Sequence, residues 1–134
     1  MTEFERFAAA LAKTESDDWE VAVGDAKSKE GSFIVGCNGF SRTGRGSNFM
    51  AMGRWQMHPA WYHDWMTEMV RVDASWDEVF RRALQVFWDG EQQAGRPAYK
   101  SAMIFHLGRH AVDEGKWDAA YATRFQRFWV ELGE

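Results

Sequence analysis

The sequence has a single cysteine, Cys37, only two prolines, and no run of about eighteen uncharged apolar residues. One thiol excludes an internal disulfide, so the fold stands on packing alone, as suits a reducing compartment. Two prolines and twelve scattered glycines exclude collagen-like and low-complexity chains. The missing apolar run argues against a membrane-spanning helix. The opening Met1 to Phe7, with acids at Glu3 and Glu5, is unlike a secretory signal. Nor is there a basic excess: sixteen Lys and Arg face twenty Asp and Glu, a net charge of −4. No polybasic surface for nucleic acid or anionic lipid is therefore expected. The chain is expected to be soluble, without an export instruction.

Aromatic residues are plentiful. The composition is 46% apolar and 16% aromatic, with eight Trp and ten Phe, which excludes a disordered chain. At 134 residues it fits one domain, 1–134, large enough for an independent core.

Periodicity organises most of that domain. In residues 3–15, Phe4, Phe7, Ala8 and Leu11 share one helical face. Residues 31–53 are punctuated by glycine, with Ser32 to Val35 as the best strand candidate, and predict a small irregular β-hairpin or loop. A helix start is expected at Pro59. A capping box at Ser75 to Glu78 precedes Val79, Phe80, Ala83, Leu84 and Phe87 on one face. Another helix opens at Arg96-Pro97 and runs as one element through Ile104, Phe105, Leu107, Ala111 and Val112. A last one covers residues 117–132, burying Tyr121, Phe125, Phe128 and Trp129. The expected class is α+β, mainly α.

Glu15 falls on the apolar face of the first helix, at its very end. A carboxylate there meets the negative end of the helix dipole, the nearby acids Asp17 and Asp18, and desolvation by Leu11 and Trp19. All three favour the protonated form, which is what a general acid needs to protonate a departing glycosidic oxygen. A helix-terminal glutamate that simply reaches water is the plain alternative.

Three blocks surround this residue: Glu15-Ser16, then Ala22-Val23-Gly24-Asp25, then Gly53-Arg54-Trp55-Gln56-Met57-His58-Pro59. Together they resemble the lysozyme superfamily, in its goose-type lysozyme and soluble lytic transglycosylase branch. Phe105-His106-Leu107-Gly108 is similar to that branch's Ala-Tyr-Asn-x-Gly segment, and Tyr121 is placed like its late Tyr. The blocks run in the family's order over residues 15–121. The separation of Glu15 from Gln56 is longer than in most relatives, which makes residues 26–50 look like an insertion. His106 stands in place of a substrate-lining Asn, and Phe105 in place of a Tyr.

The resemblance implies a lysozyme-like fold with a small β insertion. It also implies cleavage of the β-1,4 bond between N-acetylmuramic acid and N-acetylglucosamine, in peptidoglycan glycan strands, with no cofactor. Glu15 is then the acid/base. Asp25 is the candidate second carboxylate, although a turn residue after Gly24 is an equal reading. Ser16, Gln56, His106, Tyr121, Trp55 and Trp19 are candidate substrate-binding residues. The aromatic faces of Trp19, Trp55 and Trp61 are expected along a sugar cleft, while Trp76, Trp88 and Trp129 are expected to pack on helices. Without a signal or disulfides, the chain is closer to a phage-type lysin, delivered by a holin, a tail or a larger fusion.

Two other readings stand beside this one. A non-catalytic glycan- or cell-wall-binding module would keep the cleft without the chemistry. A zinc hydrolase would use His106, His110 and Glu114, spaced four apart on one helix face. Its segment His-Leu-Gly-Arg-His lacks the glutamate of His-Glu-x-x-His, and no cysteine pair supports it, so no metal is expected.

Overall fold

The computed structural model describes residues 1–18, 23–24, 51–57 and 76–133. Among them the chain is mainly helical. Helix α1 (Glu3–Ser16) is followed by strands β1 (Val23–Gly24) and β2 (Ala51–Met52). Helices α2 (Trp76–Gln93), α3 (Ala98–Leu107), α4 (Arg109–Asp113) and α5 (Ala119–Leu132) complete the order. The expected insertion at 26–50 and the helix start at Pro59 lie outside the described residues. The two short strands pair antiparallel, Val23 with Met52 and Gly24 with Ala51. They bring the chain that leaves α1 against the chain that enters the Gly53-to-Met57 turn.

Helix α1 starts where its sequence says it should. Thr2 accepts the Glu5 N–H at 3.0 Å while Glu5 accepts the Thr2 N–H at 3.0 Å, so two otherwise unpaired donors are satisfied reciprocally. Phe7, Ala8 and Leu11 are buried as the periodicity predicts, and Ala10, Ala12 and Thr14 are buried as well. Helix α1 is thus enclosed on more than one face, which the small alanine side chains permit. Phe7 stacks on Trp88 of α2 at 4.5 Å and meets Phe125 of α5 edge-on at 5.8 Å. These aromatic contacts, with Leu11, Leu84, Met103 and Val79, form the centre of the core.

Two ties bind distant parts of the chain. Arg6 donates to the Trp129 carbonyl through Nε at 2.9 Å and Nη2 at 2.7 Å, with its guanidinium 3.8 Å from the Trp129 ring. A cation on the last carbonyls of α5 also complements that helix's dipole. Glu91, fully buried in α2, takes Arg96 at 2.5 Å and Arg109 at 3.5 Å, so it pins the α2–α3 turn and α4 together.

One element differs from its expectation. The helix opened by Arg96-Pro97 is not continuous to Val112. It stops at Leu107, and α4 restarts at Arg109. Between them Gly108 adopts φ +92°, a conformation that costs glycine little and other residues much. Consequently His106 and His110 do not share the face of a single helix, which removes the geometric premise of the zinc reading. His110 instead pairs with Glu114 at 2.9 Å on the surface. Among the described residues, no group of three or more His, Cys, Asp or Glu side chains is gathered closely enough to hold a metal ion.

Candidate active site

The site is built where the end of α1 meets the end of α3 and the start of α5. Helix α1 terminates abruptly because Asp17 and Asp18 take left-handed conformations, φ 55° and 65°. Aspartate tolerates that region better than most residues. The Asp17 N–H bonds the Lys13 carbonyl at 3.3 Å and the Asp18 N–H the Ala12 carbonyl at 3.0 Å, so the helix's last acceptors are used. Glu15 is left in the last turn, its side chain only 13% exposed.

Tyr121 comes to it from α5. Asp118 caps that helix, accepting the Tyr121 N–H at 3.1 Å, and the phenol in turn donates to Glu15 Oε1 at 2.7 Å. His106, in the last turn of α3, stacks on the Tyr121 ring with centroids 3.9 Å apart and planes at 3°. Its Nε2 lies 3.1 Å from Asp118 Oδ2 and its Nδ1 3.9 Å from Glu15 Oε1. Residues 15, 106, 118 and 121 therefore form one connected group.

The electrostatics of Glu15 follow from this packing. Burial is the largest influence and pushes its carboxyl above the ordinary value; the Tyr121 hydrogen bond, His106 and Arg124 pull in the opposite direction. The expected repulsion from Asp17 and Asp18 is not part of the balance, because both acids are turned to cations. Asp17 meets Arg124 at 2.6 Å, and Asp18 meets Arg54 at 2.7 Å, while Arg54 also holds Asp77 at 2.8 Å. Burial and the charge of Glu15 together push the Tyr121 phenol well above its usual range, so it stays a donor.

The remaining candidates divide. Ser16 donates to the Arg54 carbonyl at 2.7 Å, tying the end of α1 to the turn after β2. Gln56 sits in that turn at φ 52°, its side-chain amide donating to the Gly53 carbonyl at 3.0 Å. Trp55 requires a correction. Expected along a sugar cleft, its indole is only 1% exposed, and its Nε1–H donates to the Ala8 carbonyl at 2.8 Å. It is a core residue that fastens the turn to α1, because its large apolar surface is worth more inside. Asp25, Trp19 and Trp61 lie outside the described residues.

A groove of about 440 Å³ adjoins His106, walled by Phe87, Phe105, Leu107 and Arg109. A larger hollow of about 720 Å³, between Tyr99 and Val130 on the far side of α5, contains none of the four grouped residues. Sequence reasoning missed Asp118 and Arg124 as neighbours of the acid. Asp118 carried a signal, since it precedes an apolar-periodic helix as an N-cap does. Arg124 carried none. Comparisons with protein-family models, with curated proteins and with solved structures find no match.

Proposed function

We propose that this chain cleaves peptidoglycan, as a muramidase or lytic transglycosylase acting on the β-1,4 bond between N-acetylmuramic acid and N-acetylglucosamine. The observation that supports it is a buried carboxyl at the end of α1, with a raised tendency to hold its proton and a phenol donating to it at 2.7 Å. Glu15 and Tyr121 are also residues that the resemblance to goose-type lysozymes and lytic transglycosylases singles out. The same reading takes the fold as lysozyme-like, with residues 26–50 as a small β insertion. It takes delivery to the wall by a holin, a tail or a fusion. No helix among the described residues is long and apolar enough to cross a membrane.

In this mechanism Glu15 gives its proton to the glycosidic oxygen as the C–O bond breaks, with the bonding pair leaving on that oxygen. The substrate's own acetamido group assists at the anomeric carbon, as the resemblance implies. The Glu15 carboxylate, now accepting the Tyr121 O–H, takes a proton from water or from the sugar's 6-hydroxyl. The first closes hydrolysis and the second a 1,6-anhydro product. The test is clearing of purified cell walls by the wild type and by Glu15→Gln. Clearing by the variant should fall about 10²- to 10⁴-fold. Equal clearing by the two would end the assignment, and mass spectra of the fragments separate the two products.

One observation favours a second reading, a non-catalytic glycan-binding module. Tyr99 and Trp117 are 44% and 47% exposed and meet edge-on at 6.2 Å, a surface on which sugar rings can stack. Wall pull-down without released fragments, lost in Trp117→Ala, would support it over catalysis.

A further inference from the structure

Asp118 accepts on both carboxylate oxygens: Oδ1 from the Tyr121 N–H at 3.1 Å, and Oδ2 facing His106 Nε2 at 3.1 Å. The Tyr121 N–H first, and His106 second, hold its carboxyl below the ordinary value. An ionised carboxylate can only accept, so Nε2 must carry a proton. In a neutral imidazole the other nitrogen is then a bare lone pair. That nitrogen, Nδ1, is the one 3.9 Å from Glu15 Oε1.

The ring cannot readily turn away. It lies flat on Tyr121, centroids 3.9 Å apart and planes at 3°, and the Tyr121 O–H donates to the same Glu15 oxygen. Two stacked rings thus address one carboxylate oxygen. The phenol favours the ionised acid, and His106 acts on it in the same direction. Among the described residues, the charged and titratable groups around His106 are Glu15 from α1, the N-cap Asp118 and Tyr121 of α5, and Arg109 from α4 along the same groove.

We propose that Asp118 and His106 are a positioning pair: the Asp118 carboxylate fixes the imidazole with a proton on Nε2 and with Nδ1 turned toward Glu15. The inference rests on the reading of Glu15 as the general acid. Should His106 gain a second proton, Nδ1–H would face Glu15 and favour its carboxylate.

Asp118→Asn tests the pair without removing the helix cap, because asparagine is as good an N-cap as aspartate. With the amide oxygen on the Tyr121 N–H, its NH₂ faces Nε2, which must become the acceptor. The ring proton then moves to Nδ1, toward Glu15. The readouts are the ¹⁵N shifts of the His106 ring and the ¹³C titration of the Glu15 carboxyl, both on the free protein. In the wild type the neutral ring should be the Nε2–H tautomer, and in Asp118→Asn the Nδ1–H tautomer.

An unchanged tautomer overturns the proposal. His106→Gln, at a partly exposed position, is the second arm. In it the Glu15 titration should move to higher pH, because His106 favours the carboxylate, and a curve superimposable on the wild type also overturns the pair. Because these measurements need no substrate, they judge the pair separately from the wall-clearing test of the function.

Discussion

At its N-terminal end α1 carries Glu3 and Glu5 beside the positive end of the helix dipole, with a reciprocal cap at Thr2. At its C-terminal end it carries Glu15, then Asp17 and Asp18, three acids beside the negative end. The first arrangement agrees with every local preference of a helix. The second opposes it, and two of the three acids are compensated by full charges, Asp17 by Arg124 and Asp18 by Arg54. Glu15 instead faces His106 Nδ1 at 3.9 Å. It has a neutral donor, Tyr121, and a burial that works against its charge. The structure neutralises two misplaced acids and leaves the third to desolvation, and that arrangement is what the proposed function draws on.

The sharpest way to break this contrast is Glu15→Gln, which abolishes wall clearing under the proposed function and tests the energetics as well. The folded protein holds the Glu15 proton more tightly than the unfolded chain does. Its contribution to stability is therefore complete below the ordinary carboxyl range and is lost as pH rises through the raised folded value. The amide removes that loss and can still accept from Tyr121. At pH 7 the variant should melt higher than the wild type, with the gain vanishing as pH falls into the ordinary carboxyl range. Thermal melts across pH decide it; a variant less stable at pH 7 would contradict the desolvated acid.

Thr2→Ala strikes the obedient end. Loss of the cap should cost about 1 kcal/mol in urea unfolding and leave wall clearing per folded molecule unchanged. Tyr121→Phe removes the donor that favours the Glu15 carboxylate. The alkaline limb of the activity profile should move to higher pH, and a limb that moves down or stays fixed counts against the 2.7 Å bond. Arg124→Met is the mildest. It frees an Asp17 that is already 85% exposed, so stability should change by under about 1 kcal/mol. The alkaline limb should move slightly in the same direction as in Tyr121→Phe, because Arg124 also favours ionised Glu15.

What was legible in the sequence was what is local. The period of Phe7, Ala8 and Leu11 and the placement of Glu15 on that face depend on residues three and four apart, and the structure has them so. The glycine inside the 98–113 segment was also visible, but periodicity alone does not say whether a glycine is tolerated or ends a helix. Its positive φ decides that. The partners of Asp17 and Asp18 were not legible, because Arg124 and Arg54 arrive through tertiary packing rather than spacing. Trp55 was misplaced for a related reason. Proximity in sequence to a candidate binding block puts it near the site, yet a side chain that large is claimed by the core when a carbonyl such as that of Ala8 can take its N–H.

The Arg6 clasp on the Trp129 carbonyl spans 123 positions of chain, and the Tyr121 bond to Glu15 spans 106. During synthesis α1 therefore emerges long before the helix that covers it, and its apolar face must wait for almost everything that follows. Contacts of such separation form late, because the closure entropy precedes the reward. Until α5 docks, Glu15 lacks the Tyr121 phenol that the proposed function asks for, so under that reading a half-folded chain is chemically silent.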